Sequence, residues 1–84
     1  MEKQERIAKI NEILIDKLVI NNPDELRPEA RLTEDLAADS LDAIDITMEL
    51  ERTFGISITD YQLRQMTESG TVQDVYNMVD EALK

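Results

Sequence analysis

Asp39-Ser40-Leu41 is where this chain brings together side chains that could take part in chemistry. A serine hydroxyl that attacks on its own account needs a positioned base and an oxyanion hole. The chain has no His and no Cys, and no Lys lies between Lys17 and Lys84. Flanked by Asp39 and Asp42, Ser40 is a residue to be acted upon. Its place gives that a meaning. Leu32 to Ala38 has no helix-length apolar repeat and reads as a loop. From Leu41 onward Leu41, Ala43, Ile44, Ile46, Thr47, Met48, Leu50 and Phe54 recur at helical spacing, with no Gly or Pro before Gly55. Ser40 therefore sits where a loop becomes a helix, with Asp39 as N-cap and Asp42 in the first turn. The first N–H groups of a helix point outward unpaired, and the dipole is positive there. A phosphate on the Ser40 hydroxyl would sit where a helix accommodates an anion.

At ~100° per residue this helix carries two apolar stripes. Ala43, Ile46, Thr47, Leu50 and Phe54 form the longer one, suited to a core. Leu41, Ile44 and Met48 form the other, on the side where Asp42, Asp45 and Glu49 emerge. A helix buried on both faces would not place acids beside its second stripe, so that stripe is read as a patch facing a partner.

The stretch EDLAADSLDAIDITMELERTF, residues 34–54, resembles the modification helix of acyl carrier proteins, in particular the small free-standing carriers of bacterial-type fatty acid synthesis. The likeness is near-continuous from Glu34 to Asp60. The resemblance implies that Ser40, between its motif neighbours Asp39 and Leu41, carries 4′-phosphopantetheine derived from coenzyme A. Acyl groups ride on that arm as thioesters between enzymes, and the protein is itself no enzyme. It implies a partner face of Asp42, Ile44, Asp45, Met48, Glu49, Glu51 and Arg52. The implied partners are a phosphopantetheinyl transferase and the acyl-transfer, condensing and reducing enzymes of fatty acid synthesis, met through basic docking patches. It also implies a monomer. An acyl pocket would lie between the helices, with Ile46, Leu50, Ile58, Leu63, Met66 and Val72 as candidate lining; the same residues can also simply fill the core, and a soft core that opens for a chain would do both.

Four features depart from the family pattern. Ala37 stands where Gly is common, at a point where the loop needs an unusual backbone angle. Thr47 puts a hydroxyl at a mostly apolar position, where it can bond back to the preceding turn. Arg52 replaces an acid near the end of the partner-facing helix. The turn from Thr67 to Gly70 is longer than usual. These leave a specialised carrier of polyketide, aminoacyl or other acyl cargo as the alternative.

The remaining elements must position that site. Periodicity predicts a first helix over about Lys3 to Val19, with Ile7, Ile10, Leu14 and Leu18 on one face and Ile13 beside it. A connection from Asn21 to Asp39 follows, interrupted by Pro23 and Pro28 and anchored by Leu26, Ala30, Leu32 and Leu36. Arg27 and Arg31 within it are read as locally paired with Glu25, Glu29 or Glu34. Gly55 ends the central helix. Ile56 and Ile58 turn inward on an extended link, and Asp60 caps a short helix from Tyr61 to about Met66. Glu68-Ser69-Gly70 forms a turn. Thr71 caps the last helix in a capping-box-like pair with Asp74, and Val72, Val75, Tyr76, Val79 and Leu83 mark its core stripe. The expected fold is all-α: three long helices and one short helix in one carrier domain over residues 1–84.

Nine basic residues against nineteen acidic give a formal charge of −10. This excludes nucleic acid as a partner and favours basic surfaces. No run is apolar enough to insert in a membrane, nothing resembles a secretory leader, and the lack of Cys suits a reducing compartment, so a cytoplasmic protein is expected. Asp35, Asp39, Asp42 and Asp45 lack the alternate spacing and mid-loop Gly of a calcium loop. An interaction protein bearing a phosphorylated or unmodified Ser40 is the other reading that composition and spacing allow.

Overall fold

The computed structural model describes residues 2–84. It holds four α-helices, α1 (Lys3–Leu18), α2 (Ser40–Phe54), α3 (Asp60–Ser69) and α4 (Val72–Ala82), with a 3₁₀ turn at Pro23–Glu25. The starts of α2, α3 and α4 share one device. An N-cap side chain accepts the third N–H of its helix, and the third side chain accepts the N-cap N–H. The pairs are Asp39 with Asp42, Thr59 with Gln62, and Thr71 with Asp74. Two of these agree with the expected caps. At α3 the cap is Thr59 and not Asp60, because only Thr59 has a side chain three residues away, Gln62, that can reciprocate.

The helix ends differ in kind. Gly55 closes α2 in the left-handed region at φ 65°, giving its N–H to Glu51 C=O. Val19 closes α1 in the same region at φ 51°, so that helix ends one residue earlier than periodicity suggests. α3 is longer than expected. Thr67, Glu68 and Ser69 are helical, not a turn, and the Thr67 hydroxyl donates to Leu63 C=O at 2.8 Å. The stop comes at Gly70, which is buried against Met66, with its N–H on Met66 C=O at 3.2 Å.

One apolar cluster joins all four helices and the long connection. Ile10, Leu14, Leu32, Ile46, Leu50, Val72, Val75 and Val79 are completely enclosed. Each contributes roughly 1.5–3 kcal/mol by leaving water, set against chain entropy of similar total size. Polar links fix how the helices seat. Arg6 on α1 pairs with Asp80 on α4 at 3.0 Å, and the Tyr76 hydroxyl donates to Asn11 across the same interface. Burial pushes the Tyr76 phenol above its usual range, and the hydrogen bond to Asn11 only partly opposes this.

The 21–39 connection is held by backbone as much as by side chains. Leu26, Ala30, Leu32 and Ala38 are buried, and Leu36 is half-buried. Leu32 N–H donates to Gly70 C=O at 3.0 Å and Val72 N–H to Ala30 C=O at 2.9 Å, flanking an isolated antiparallel bridge from Arg31 to Thr71. Ala38 N–H closes back on Leu32 C=O at 2.8 Å. The segment that delivers Ser40 is thus tied to the α3–α4 corner. Arg27 and Arg31 pair locally with Glu29 and Glu34 as expected.

Candidate functional site

Ser40 is the first residue of α2 and is exposed. The turn it starts is held rigid on both sides. Asp42 N–H donates to Asp39 Oδ1 at 2.8 Å, and Asp39 N–H donates to Asp42 Oδ2 at 3.2 Å. Both carboxylates are therefore engaged in shaping the helix start. Immediately upstream Ala37 has φ 58°, the left-handed angle for which Gly would be the ordinary choice. That angle turns the chain from the exposed Ala37 into the buried Ala38, whose N–H is anchored on Leu32 C=O, one step before the exposed Asp39-Ser40.

The two faces of α2 separate as the sequence pattern implies. Ala43, Ile46, Thr47 and Leu50 are buried, while Leu41, Met48 and Ile44 are 70%, 53% and 41% exposed. Thr47 is buried without an orphaned hydroxyl, because Oγ1 donates to Ile44 C=O at 2.9 Å. Asp45 is exposed about 40° from Leu41 on the helical projection, on the side away from Met48. Glu49 and Arg52 form an ion pair at 3.3 Å on that same side.

Glu51, placed in the partner face by the resemblance, also has a structural task. Its Oε2 accepts the Ile58 N–H at 2.8 Å, which holds the α2–α3 link against the bundle. At ~100° per residue it lies about 80° from Leu41, on the flank of the face. No sequence signal marks this bond, since it joins a helix side chain to backbone seven residues on.

Half of the candidate acyl lining is enclosed. Ile46, Leu50 and Val72 have no exposed surface and serve as core. A cleft of about 360 Å³ does exist, but between α3 and α4, lined by Gln62, Met66, Gly70, Val75 and Met78 among others. Of the anticipated lining residues it shares Met66 alone. The 56–58 link leaves Ile56 and Ile58 only half-buried, as partial seals at the other end of α2.

Residues 8–79 match the family described as phosphopantetheine attachment site. The chain is similar to the acyl carrier protein of Petrotoga mobilis, 39% identical over 83 residues that cover 99% of this chain and 93% of the relative. It is 41% identical to that of Rubrobacter xylanophilus over 81 residues, 96% of this chain and 95% of the relative. A third relative, from Thermosynechococcus vestitus, is 38% identical over 80 residues, 95% and 94% of the two chains. The chain belongs to the acyl carrier protein family. The cofactor of this acyl carrier protein is accordingly 4′-phosphopantetheine, and its all-helical architecture accords with that assignment. No helix among the described residues is long and apolar enough to cross a membrane.

Proposed function

We propose that this acyl carrier protein bears its 4′-phosphopantetheine on Ser40 Oγ and shuttles acyl chains among the enzymes of fatty acid synthesis, acting as a monomeric, single-domain carrier that catalyses no step itself. The observation that carries the reading is the setting of Ser40: an exposed hydroxyl at the first position of a helix whose start is locked by the Asp39–Asp42 box. The other serines offer no such setting. Ser57 lies on the extended link, and Ser69 is at the negative end of α3. The α2 N-terminus fits a phosphodiester. Ser40 is exposed, and the nearby dipole favours an anion. When bound, the arm supplies a terminal thiol that holds acyl groups as thioesters. The protein's own part is to hold Ser40 out for a transferase and to present the docking face beside it.

That face supports the proposed partners. Leu41, Ile44 and Met48 stand exposed among Asp42 and Asp45, on a chain of net charge −10. This suits the basic patches of a phosphopantetheinyl transferase and of acyl-transfer, condensing and reducing enzymes, whose approach would be fast and salt-sensitive. The test is intact mass after incubation with coenzyme A and a broad-specificity transferase. A gain of about 340 Da, the arm joined as a phosphodiester, is expected. Ser40→Ala should gain nothing. Modification found at Ser57 or Ser69 would overturn the assignment.

A further inference from the structure

Arg52 is the one basic residue between Arg31 and Arg64, and it falls within the exposed face of α2. At ~100° per residue it lies about 20° from Leu41 and about 40° from Met48, so it stands at the Leu41 edge of the apolar stripe, between Leu41 and Asp45 and one turn beyond Met48. Its side chain is 74% exposed, against 30% for Glu49, to which Nη1 is joined at 3.3 Å. A guanidinium has five N–H donors, and this contact engages one nitrogen. Any surface that covers Leu41 and Met48 also removes water from Arg52. A charge covered without new partners is costly, whereas a carboxylate can meet a guanidinium with two parallel bonds. The same ion pair neutralises Glu49, so the negative character of the face is concentrated in Asp42 and Asp45, nearer Ser40. Along the axis Asp42 and Arg52 are ten residues apart, roughly 15 Å at 1.5 Å per residue.

We infer that Arg52 is a specificity-determining residue, and that the cognate enzymes of this carrier present a carboxylate opposite it, about 15 Å from the basic group that meets Asp42 and beyond an apolar hollow for Leu41, Ile44 and Met48. The docking surface sought is thus a basic patch followed by an acid, not a uniformly basic patch. This deepens the proposed docking role of α2 and rests on it. A uniformly basic enzyme would place a cation against Arg52 and lose encounter rate and affinity.

The test uses the phosphopantetheinylated protein, its Arg52→Glu and Arg52→Gln variants, and Asp45→Lys. Binding is measured to two condensing enzymes: one from the same source as this chain, and one from a foreign carrier system whose docking patch is basic throughout. Arg52→Glu should weaken binding to the same-source enzyme by about tenfold or more at low salt, with Arg52→Gln intermediate. It should strengthen binding to the foreign enzyme. Asp45→Lys should weaken both. Converting in turn the carboxylates that border the same-source enzyme's docking patch to Lys should restore Arg52→Glu binding at one position. A variant that binds both enzymes more tightly, or no restoring position, would overturn the inference, because net charge would then account for everything. Mass analysis of each variant separates the two readings. If the arm is taken up at Ser40 and Arg52→Glu binds the same-source enzyme as the parent does, the inference falls and the carrier assignment stands. If no arm is taken up at Ser40, the carrier assignment itself falls.

Discussion

Ala37 and Thr47 show how single residues near the site are accommodated. Thr47 answers its own burial by donating to Ile44 C=O one turn back, within the helix it belongs to. Ala37 has no such remedy, since its φ of 58° is a property of the backbone. A left-handed angle costs an L-residue roughly 1–2 kcal/mol, while Gly loses about 0.5–1 kcal/mol more chain entropy on folding. Ala37→Gly should therefore raise stability by up to about 1 kcal/mol, or a rise in thermal midpoint of a few degrees for a domain of this size. Circular dichroism melting is the measurement. Ala38→Gly is the contrast, because Ala38 is buried at 6% exposure and its methyl group packs. A lower midpoint for Ala37→Gly would show that the left-handed angle stores no strain. The departure from the family's usual Gly was visible in sequence; that the chain keeps the glycine angle anyway was not.

At the scale of elements, the two glycines end helices for different reasons. Gly55 has φ 65° and open space where a Cβ would stand, so its requirement is the angle. Gly70 has an ordinary angle, but an added Cβ would lie 2.7 Å from Met66 Cα and 2.8 Å from Met66 C=O. Backbone must move to admit it, and the same residue's C=O accepts the Leu32 N–H that pins the long connection. Gly70→Ala should cost about 1–3 kcal/mol as an overpacked site. Gly55→Ala should cost about 1 kcal/mol, from the angle alone. Urea titration of both variants gives the comparison, and equal midpoints would sink the packing argument. This junction also explains why α3 runs on through the turn that the sequence suggests. Thr67 and Ser69 are weak helix formers, and read alone with the glycine they suggest a turn. The Thr67 hydroxyl on Leu63 C=O and the docking of the Thr33 hydroxyl onto Thr67 C=O at 2.6 Å carry the helix to its last turn.

For the whole molecule, the dominant fact is a charge of −10 on 84 residues. Like charges within a small bundle repel, and the repulsion is screened as the Debye length falls from about 30 Å at 0.01 M salt to about 8 Å at 0.15 M. Stability should therefore rise over that range. The ion pairs that could weaken with salt are mostly exposed and contribute little, with Arg6–Asp80 the best sheltered of them. Melting in a neutral salt series checks this. A midpoint that falls with salt would mean that local pairs outweigh the net charge.

Sequence by itself determined the features that depend on neighbours within a turn or two. The apolar repeat of α2, the Asp39 cap before Ser40, the Thr71–Asp74 box and the division of α2 into a core face and an exposed face are all set by spacing along one helix. Tertiary structure decided what depends on groups far apart in the chain. Only the packed bundle shows Leu32 and Val72 stitching the long connection to the α3–α4 corner, Glu51 bonded to Ile58, and Ile46, Leu50 and Val72 enclosed in the core. The physical reason is that backbone donors and buried surface must be satisfied by whatever the fold brings near, and periodicity carries no record of those partners.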